Sequence, residues 1–150
     1  MNIIGFNFTK ISGQLFPEYK EPSFSMSTNI EFLDVQKEEI AALKDKEAIK
    51  MVFAYTVSFN PKGEAKGKEA SKLGIISFEG NILLSADKEE SKEVLKAWKK
   101  KEIPVGFKVP IFNLIIKKCT SKALHLEDEL NLPAHIPIPT LSLEKEEPKK

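Results

Sequence analysis

The sequence contains no arginine, so all 23 of its basic residues are lysines. Bidentate recognition of phosphate or of guanine usually requires the planar guanidinium group of arginine. The lysines are balanced by 22 acidic residues, which leaves a net charge of +1 and no electrostatic bias toward nucleic acid. Sequence-specific binding to DNA is therefore not expected of this chain.

Cysteine and long apolar runs are also scarce. Cys119 is the single cysteine, which excludes an internal disulfide and a zinc site built from paired cysteines. The longest apolar run extends from Met51 to Tyr55, whereas a membrane-spanning helix needs about 20 apolar residues. The first residues alternate like a strand and show no basic segment before an apolar stretch, so no secretory signal is expected. These features predict a soluble, cytoplasmic protein without membrane insertion.

Apolar residues make up 41% of the 150 residues, enough for the core of one domain. Alternating apolar positions predict four strands, over residues 2–16, 24–32, 49–59 and 72–85. In the first strand the alternation shifts phase after Phe8, which predicts a bulge, with Gly13 helping the bend. The segment 49–59 has one fully apolar face, and its other face is uncharged except for Lys50, so we expect it at the centre of the sheet. Its other face has small residues that suit a subunit interface: Val52, Ala54, Thr56 and Ser58.

Helical periodicity replaces alternation after the fourth strand. Asp87 followed by Glu90 forms a capping-box pattern, which predicts a helix that ends before Pro104 and Gly106. A longer helix is predicted over 110–130, with Pro110 in its first turn. Residues 36–46 are predicted to form a short helix or a polar connector. The expected fold is α+β: a four-stranded antiparallel sheet with two helices, the longer one packed on one face. We expect a single domain over 1–143 and a disordered charged tail over 144–150.

Catalytic motifs are absent from the sequence. His125 and His135 could serve a metal or acid–base role, but a solvated helix end with a charge cluster is the simpler interpretation. Cys119 lies on the apolar stripe of the longer helix, which is typical of a buried, inert thiol. The sequence therefore predicts neither an enzyme, nor a cofactor, nor a metal site.

Aromatic residues gather around the proline-bounded segment 17–23. Phe16, Tyr19 and Phe24 lie in or beside this segment. An aromatic loop over a sheet can line a groove for an extended apolar peptide. The alternative is that the loop closes the core of its own domain.

The order of the predicted elements, together with motifs in the last third of the chain, resembles the SecB family of export chaperones. An aromatic first strand precedes a proline-containing crossover, and the fourth strand contains residues 74–80, Gly-Ile-Ile-Ser-Phe-Glu-Gly. The most specific stretch is Asn113-Leu114-Ile115 with Cys119, followed by Leu130-Asn131-Leu132-Pro133 and then Ile136 and Pro137. The resemblance covers most of the chain. In place of the family's last helix stand Ile136 to Leu143 and a charged tail.

This resemblance implies a fold and a function. It implies a homotetramer, built as a dimer of dimers, that holds non-native polypeptide clients without nucleotide and without catalysis. The matching peptide-binding positions are Phe16, Tyr19, Phe24, Leu124, Leu126 and Ile136. The acidic sheet surface that docks a translocase motor is matched only in part, by Glu79 and Glu31, so the link to protein export stays open. Two alternatives remain: a chaperone associated with a toxin–antitoxin pair, and a non-catalytic adaptor for one specific protein partner.

Overall fold

A computed structural model describes residues 1–17, 24–40, 45–61, 72–139 and 141 of the chain. Four strands precede two helices, as the sequence predicts. The elements are β1 (Asn2–Leu15), β2 (Phe24–Glu38), β3 (Glu47–Pro61), β4 (Gly74–Ala86), α1 (Lys88–Trp98) and α2 (Val105–Glu129). Most of the predicted crossover loop, the tip of the hairpin between β3 and β4, and the predicted tail over 144–150 lie outside the described residues.

The four strands form one antiparallel sheet in the order β1-β4-β3-β2. The expected fold class is confirmed, and β3 lies in the interior of the sheet, as its two largely uncharged faces predicted. Within the described residues β1 and β2 are the two edge strands. In the centre Phe53 stands opposite Gly80 and Tyr55 opposite Phe78, and the rings of Tyr55 and Phe78 stack with centroids 5.9 Å apart.

One face of the sheet is buried beneath the helices. On α2 the buried positions recur every four residues, which is the spacing of a ridge on a helix surface. They are Phe107, Ile111, Ile115, Cys119, Ala123 and Glu127. This ridge packs on the buried side chains of β3 and β4 in a single core cluster. In the described part of the chain no helix is long and apolar enough to cross a membrane.

Bulges set the phase of both edge strands. The predicted phase shift in β1 is confirmed, because its pairing with β4 is irregular between Ile3 and Gly5 and again between Phe8 and Lys10. In β2 a similar irregularity lies between Phe32 and Asp34. After it the strand continues to Glu38, paired with β3. The first part of the predicted helix or connector at 36–46 is therefore strand.

The predicted start of α1 is confirmed: Asp87 and Glu90 form a reciprocal capping box. The predicted start of the longer helix at Pro110 is wrong, because α2 begins at Val105. Phe107 is 6% exposed and adds one turn to the buried ridge. Burial of the Phe107 ring contributes more free energy than is lost with the one backbone hydrogen bond that Pro110, close to the helix start, cannot donate. Gly106, expected to break a helix, lies inside α2.

At Gly80 on β4 there is no room for a side chain between β1 and the ring of Phe53. A Cβ atom added there would lie 2.8 Å from Cζ of Phe53 and would overlap the backbone carbonyl oxygen of Asn7. A backbone carbonyl cannot rotate away from the added Cβ as the end of a side chain could. Gly80→Ala is therefore expected to lower the unfolding free energy by about 2–3 kcal/mol. Denaturant titration measures this value. Gly106→Ala is the matched control, since a Cβ there meets nothing within 4 Å, and it should be neutral or stabilising by under about 1 kcal/mol. Equal effects of the two substitutions would contradict the close packing at Gly80.

Candidate peptide-binding groove

A groove of about 400 Å³ lies between β2 and α2 and is closed at one end by the segment that follows α2. We call it the β2 groove. Its walls come from β2, β3, α2 and the exit segment 132–139. The lining residues are Thr28, Ile30, Tyr55, Phe112, Ile116, Thr120, His135 and Ile136. Since β2 is an edge strand, the groove runs beside a backbone edge that is unpaired within the described residues.

Apolar side chains are exposed along the β2 groove. Ile116 on α2 is 46% exposed and Ile136 on the exit segment is 37% exposed. Met26, two residues before Thr28 on β2, is 42% exposed. Side chains two residues apart on a strand share a face, so Met26 extends the apolar wall along β2. This surface could receive an extended apolar segment with little sequence preference.

A buried hydrogen-bond network holds the closed end of the groove. The carboxylate of Glu127 accepts from the backbone N–H of His135 at 2.9 Å and lies 2.7 and 2.8 Å from Nδ1 of the same residue. Nε2 of His135 lies 3.1 Å from the Tyr55 hydroxyl. Nδ1 faces the carboxylate oxygens, so the ring proton belongs on Nδ1, and Nε2 faces a hydroxyl that can donate to it. The side chains of Glu127 and His135 are 1% and 3% exposed.

The end of α2 directs the exit segment back onto this network. Asn131 adopts a left-handed φ of 56°, and the N–H of Leu132 donates to the carbonyl of Glu127 at 2.8 Å. These are features of a Schellman motif, in which asparagine is a usual alternative to glycine. Leu132 is then 6% exposed beside Gly74. The turn and the network together place Ile136 on the wall of the groove.

The titratable groups near the groove do not form a nucleophilic site. Burial raises the pKa of the Tyr55 phenol above its usual range, and the negative charge of Glu127 adds to the effect. Burial also raises the pKa of the Cys119 thiol to about 12. The thiol is therefore protonated near neutral pH and packed in the core, as its position on the apolar stripe predicted. In the described residues no three His, Cys, Asp or Glu side chains are placed to hold a metal ion.

The structure does not bring the predicted site residues together. Ile136 lines the β2 groove, and Phe24 lies at the start of β2, with its ring 6.3 Å from that of Phe59. Leu126 lies on the other flank, over β1, where its Cδ1 is 3.7 Å from the position of a Cβ at Gly13.

Of the other three predicted residues, the two that the structure describes lie apart from the lining of the groove. Phe16 follows β1 and donates its backbone N–H to Leu73. Leu124 is half-buried on α2, one turn after Thr120. Tyr19 lies outside the described residues.

Sequence reasoning missed the polar members of the groove, above all His135. His125 matches the simpler interpretation, since it is an exposed partner of Glu129 at 3.3 Å, but His135 is buried and is not part of a solvated helix end. A signal was present. Glu127 is the one charged residue among the positions that recur every four residues on the buried ridge of α2. A buried charge requires a partner. His135 is the nearest titratable group after the helix ends.

Comparison with known proteins gives one kind of match. No protein-family model matches the sequence, and no curated protein does. Among solved structures the chain is similar to the Mycobacterium tuberculosis Rv1957 SecB-like chaperone in complex with a ChAD peptide from the Rv1956 HigA1 antitoxin. The identity is 13%, the TM-score is 0.46, and the alignment covers 96% of this chain and 92% of that chain. The family named there is the one that the sequence resembles, and no residue role is transferred from it.

Proposed function

We propose that this protein is a non-catalytic chaperone that holds non-native polypeptide without nucleotide. The observation that carries the proposal is the β2 groove, an exposed apolar channel beside an open strand edge. An extended client could pair its backbone with the edge of β2 and place alternate side chains against Ile116 and Ile136. Contacts of this kind depend on the client's backbone and apolar content rather than on its exact sequence.

The high content of charged residues, 23 lysines and 22 acidic residues, supports the same function. They keep a protein with an exposed apolar channel dispersed in water. The exposed edge of β1 carries further apolar residues, which favours assembly with a second copy of the chain. We propose a homo-oligomer, a dimer of dimers by the family resemblance, acting in the cytoplasm as one domain over 1–143. The six sequence-derived positions remain proposed client contacts, with Ile136 on the β2 groove and Phe24 at the start of β2.

The test is suppression of aggregation of a chemically denatured client, followed by light scattering. The wild type should protect at a small molar excess. The variant with both Ile116→Ser and Ile136→Ser should need about tenfold more protein for the same protection, because two apolar contacts are lost. The matched control carries Val109→Ser and Ile138→Ser, which change two exposed apolar residues on the same elements but outside the groove. It should protect like the wild type.

The results of this assay distinguish the chaperone proposal from its alternatives. If the wild type leaves aggregation unchanged at several-fold excess, the chaperone proposal fails. If Leu126→Ala loses protection while the groove variant keeps it, clients bind on the β1 flank of α2. Binding of one partner at 1:1 stoichiometry without any effect on denatured clients would favour the adaptor, or a chaperone dedicated to a single antitoxin-like partner.

A further inference from the structure

A second pocket, of about 500 Å³, lies where α1 ends and α2 begins. We call it the corner pocket. Its aromatic walls are Phe32 of β2, Trp98 of α1 and Phe112 of α2. The rings of Phe32 and Phe112 meet edge to face with centroids 5.5 Å apart. Three aromatic rings around an opening of this size can accept one large apolar side chain.

The chain around the corner pocket is basic. Residues 96–108 contain five lysines and a single acidic residue, in a protein whose net charge is +1. Two of these lysines lie over the aromatic walls: Nζ of Lys101 is 4.5 Å from the centroid of Trp98, and Nζ of Lys108 is 5.7 Å from that of Phe112. Glu31 and Glu102 also line the pocket. The lining thus holds two lysines and two glutamates, and the excess of positive charge comes from the other three lysines of 96–108.

Lys101 stands at a backbone position that disfavours it. Its N–H donates to Trp98 and the N–H of Glu102 donates to Ala97, which is the hydrogen-bond pattern of a Schellman motif. Lys101 has a left-handed φ of 59° at the position where glycine or asparagine is usual, and α2 uses Asn131 at its own end. The backbone gains nothing from lysine there, but the side chain carries a charge to the mouth of the pocket. The left-handed φ of Lys101 therefore points to a role for its side chain independently of the aromatic walls.

We propose that the corner pocket binds an acidic peptide segment of a partner protein that contains one large apolar side chain. The apolar side chain enters between the three rings, and carboxylates on either side of it pair with Lys101 and Lys108. Backbone N–H groups of the peptide donate to Glu31 and Glu102. The backbone of a nucleic acid has no N–H groups and cannot make these hydrogen bonds. This site goes beyond holding non-native chains, because the basic segment around the pocket favours an acidic ligand.

Trp98 is the single tryptophan of the chain, so its fluorescence reports directly on the pocket. The probe is a synthetic peptide with two aspartates on each side of one leucine. We expect a saturable change in emission that weakens when salt is raised to about 0.3 M, since the contacts are partly ionic. Replacing the leucine of the peptide by alanine should lower the affinity about tenfold. Replacing the aspartates by lysines should abolish binding.

Lys101→Gly separates binding from folding. It removes the ammonium group and also relieves the left-handed strain, so the melting temperature should hold or rise while peptide affinity falls about three- to fivefold. Lys99→Gln is the matched control, because it removes a charge on the same turn from a residue that does not line the pocket. It should change the affinity by less than about twofold.

Three results would overturn the proposal: no saturable change up to about 1 mM peptide, equal losses from Lys99→Gln and Lys101→Gly, or tighter binding of an oligothymidylate that displaces the peptide. The last would identify a nucleic-acid surface instead. Lys101→Gly should protect denatured clients like the wild type. Failure of the corner pocket is thus distinguishable from failure of the chaperone proposal.

Discussion

Glu127→Ala is expected to lower the unfolding free energy by about 3–5 kcal/mol. The carboxylate is buried and receives three close contacts from His135, so its removal leaves an imidazole and a backbone N–H without their acceptor. The substitution also opens a cavity beneath the end of α2. Equilibrium unfolding in denaturant, followed by the fluorescence of Trp98 and by far-UV circular dichroism, measures the loss.

Glu129→Ala provides the control on the same helix. Glu129 also contacts a histidine, but the Glu129 and His125 side chains are 58% and 67% exposed, so the loss should be under about 0.5 kcal/mol. A double variant with Glu127→Leu and His135→Leu replaces the buried pair by apolar groups and should recover much of the lost stability. If Glu127→Ala costs no more than Glu129→Ala, the buried network does not form in solution.

Most of the fold could be predicted because its strands alternate strongly. From Ile49 to Phe59 the odd positions of β3 are all apolar and the even positions are uncharged except for Lys50, which together predicted a place in the sheet interior. The errors lie where tertiary contacts outweigh local signals. Pro110 marks a helix start by local preference, but burial of Phe107 extends α2 one turn before it. The continuation of β2 to Glu38 depends on pairing with β3, which a sequence rich in lysine and glutamate does not reveal.

The candidate site was less predictable than the fold, because a groove is formed by residues distant in sequence. Ile136 was assigned through the family resemblance and does line the groove. Thr120 and Tyr55 were missed, since nothing local distinguishes them from ordinary helix and core residues. Leu126 was assigned to the same site through the same resemblance, yet it lies over β1. Only a three-dimensional arrangement shows which flank of α2 each residue occupies.

Within the described residues β1 has an unpaired edge, and its exposed apolar residues predict the assembly. Ile3 and Ile11 pair with Leu84 and Phe78, whose side chains are fully buried, yet they are 37% and 47% exposed themselves. An edge strand with exposed apolar residues is a template for a second copy of the chain. We therefore expect light scattering to give about two or four times 16.9 kDa for the wild type.

Ile11→Lys is expected to reduce that mass at least by half, because it places a charge in the proposed β1 interface. Ala54→Lys tests the other candidate, the small-residue face of β3. Ala54 lies between Glu31 and Glu79 on the neighbouring strands, so a lysine there gains two carboxylate neighbours and should leave the subunit folded. If Ala54→Lys dissociates the assembly and Ile11→Lys does not, the copies meet through the sheet face. A wild-type mass near 16.9 kDa at micromolar concentration would contradict both interfaces.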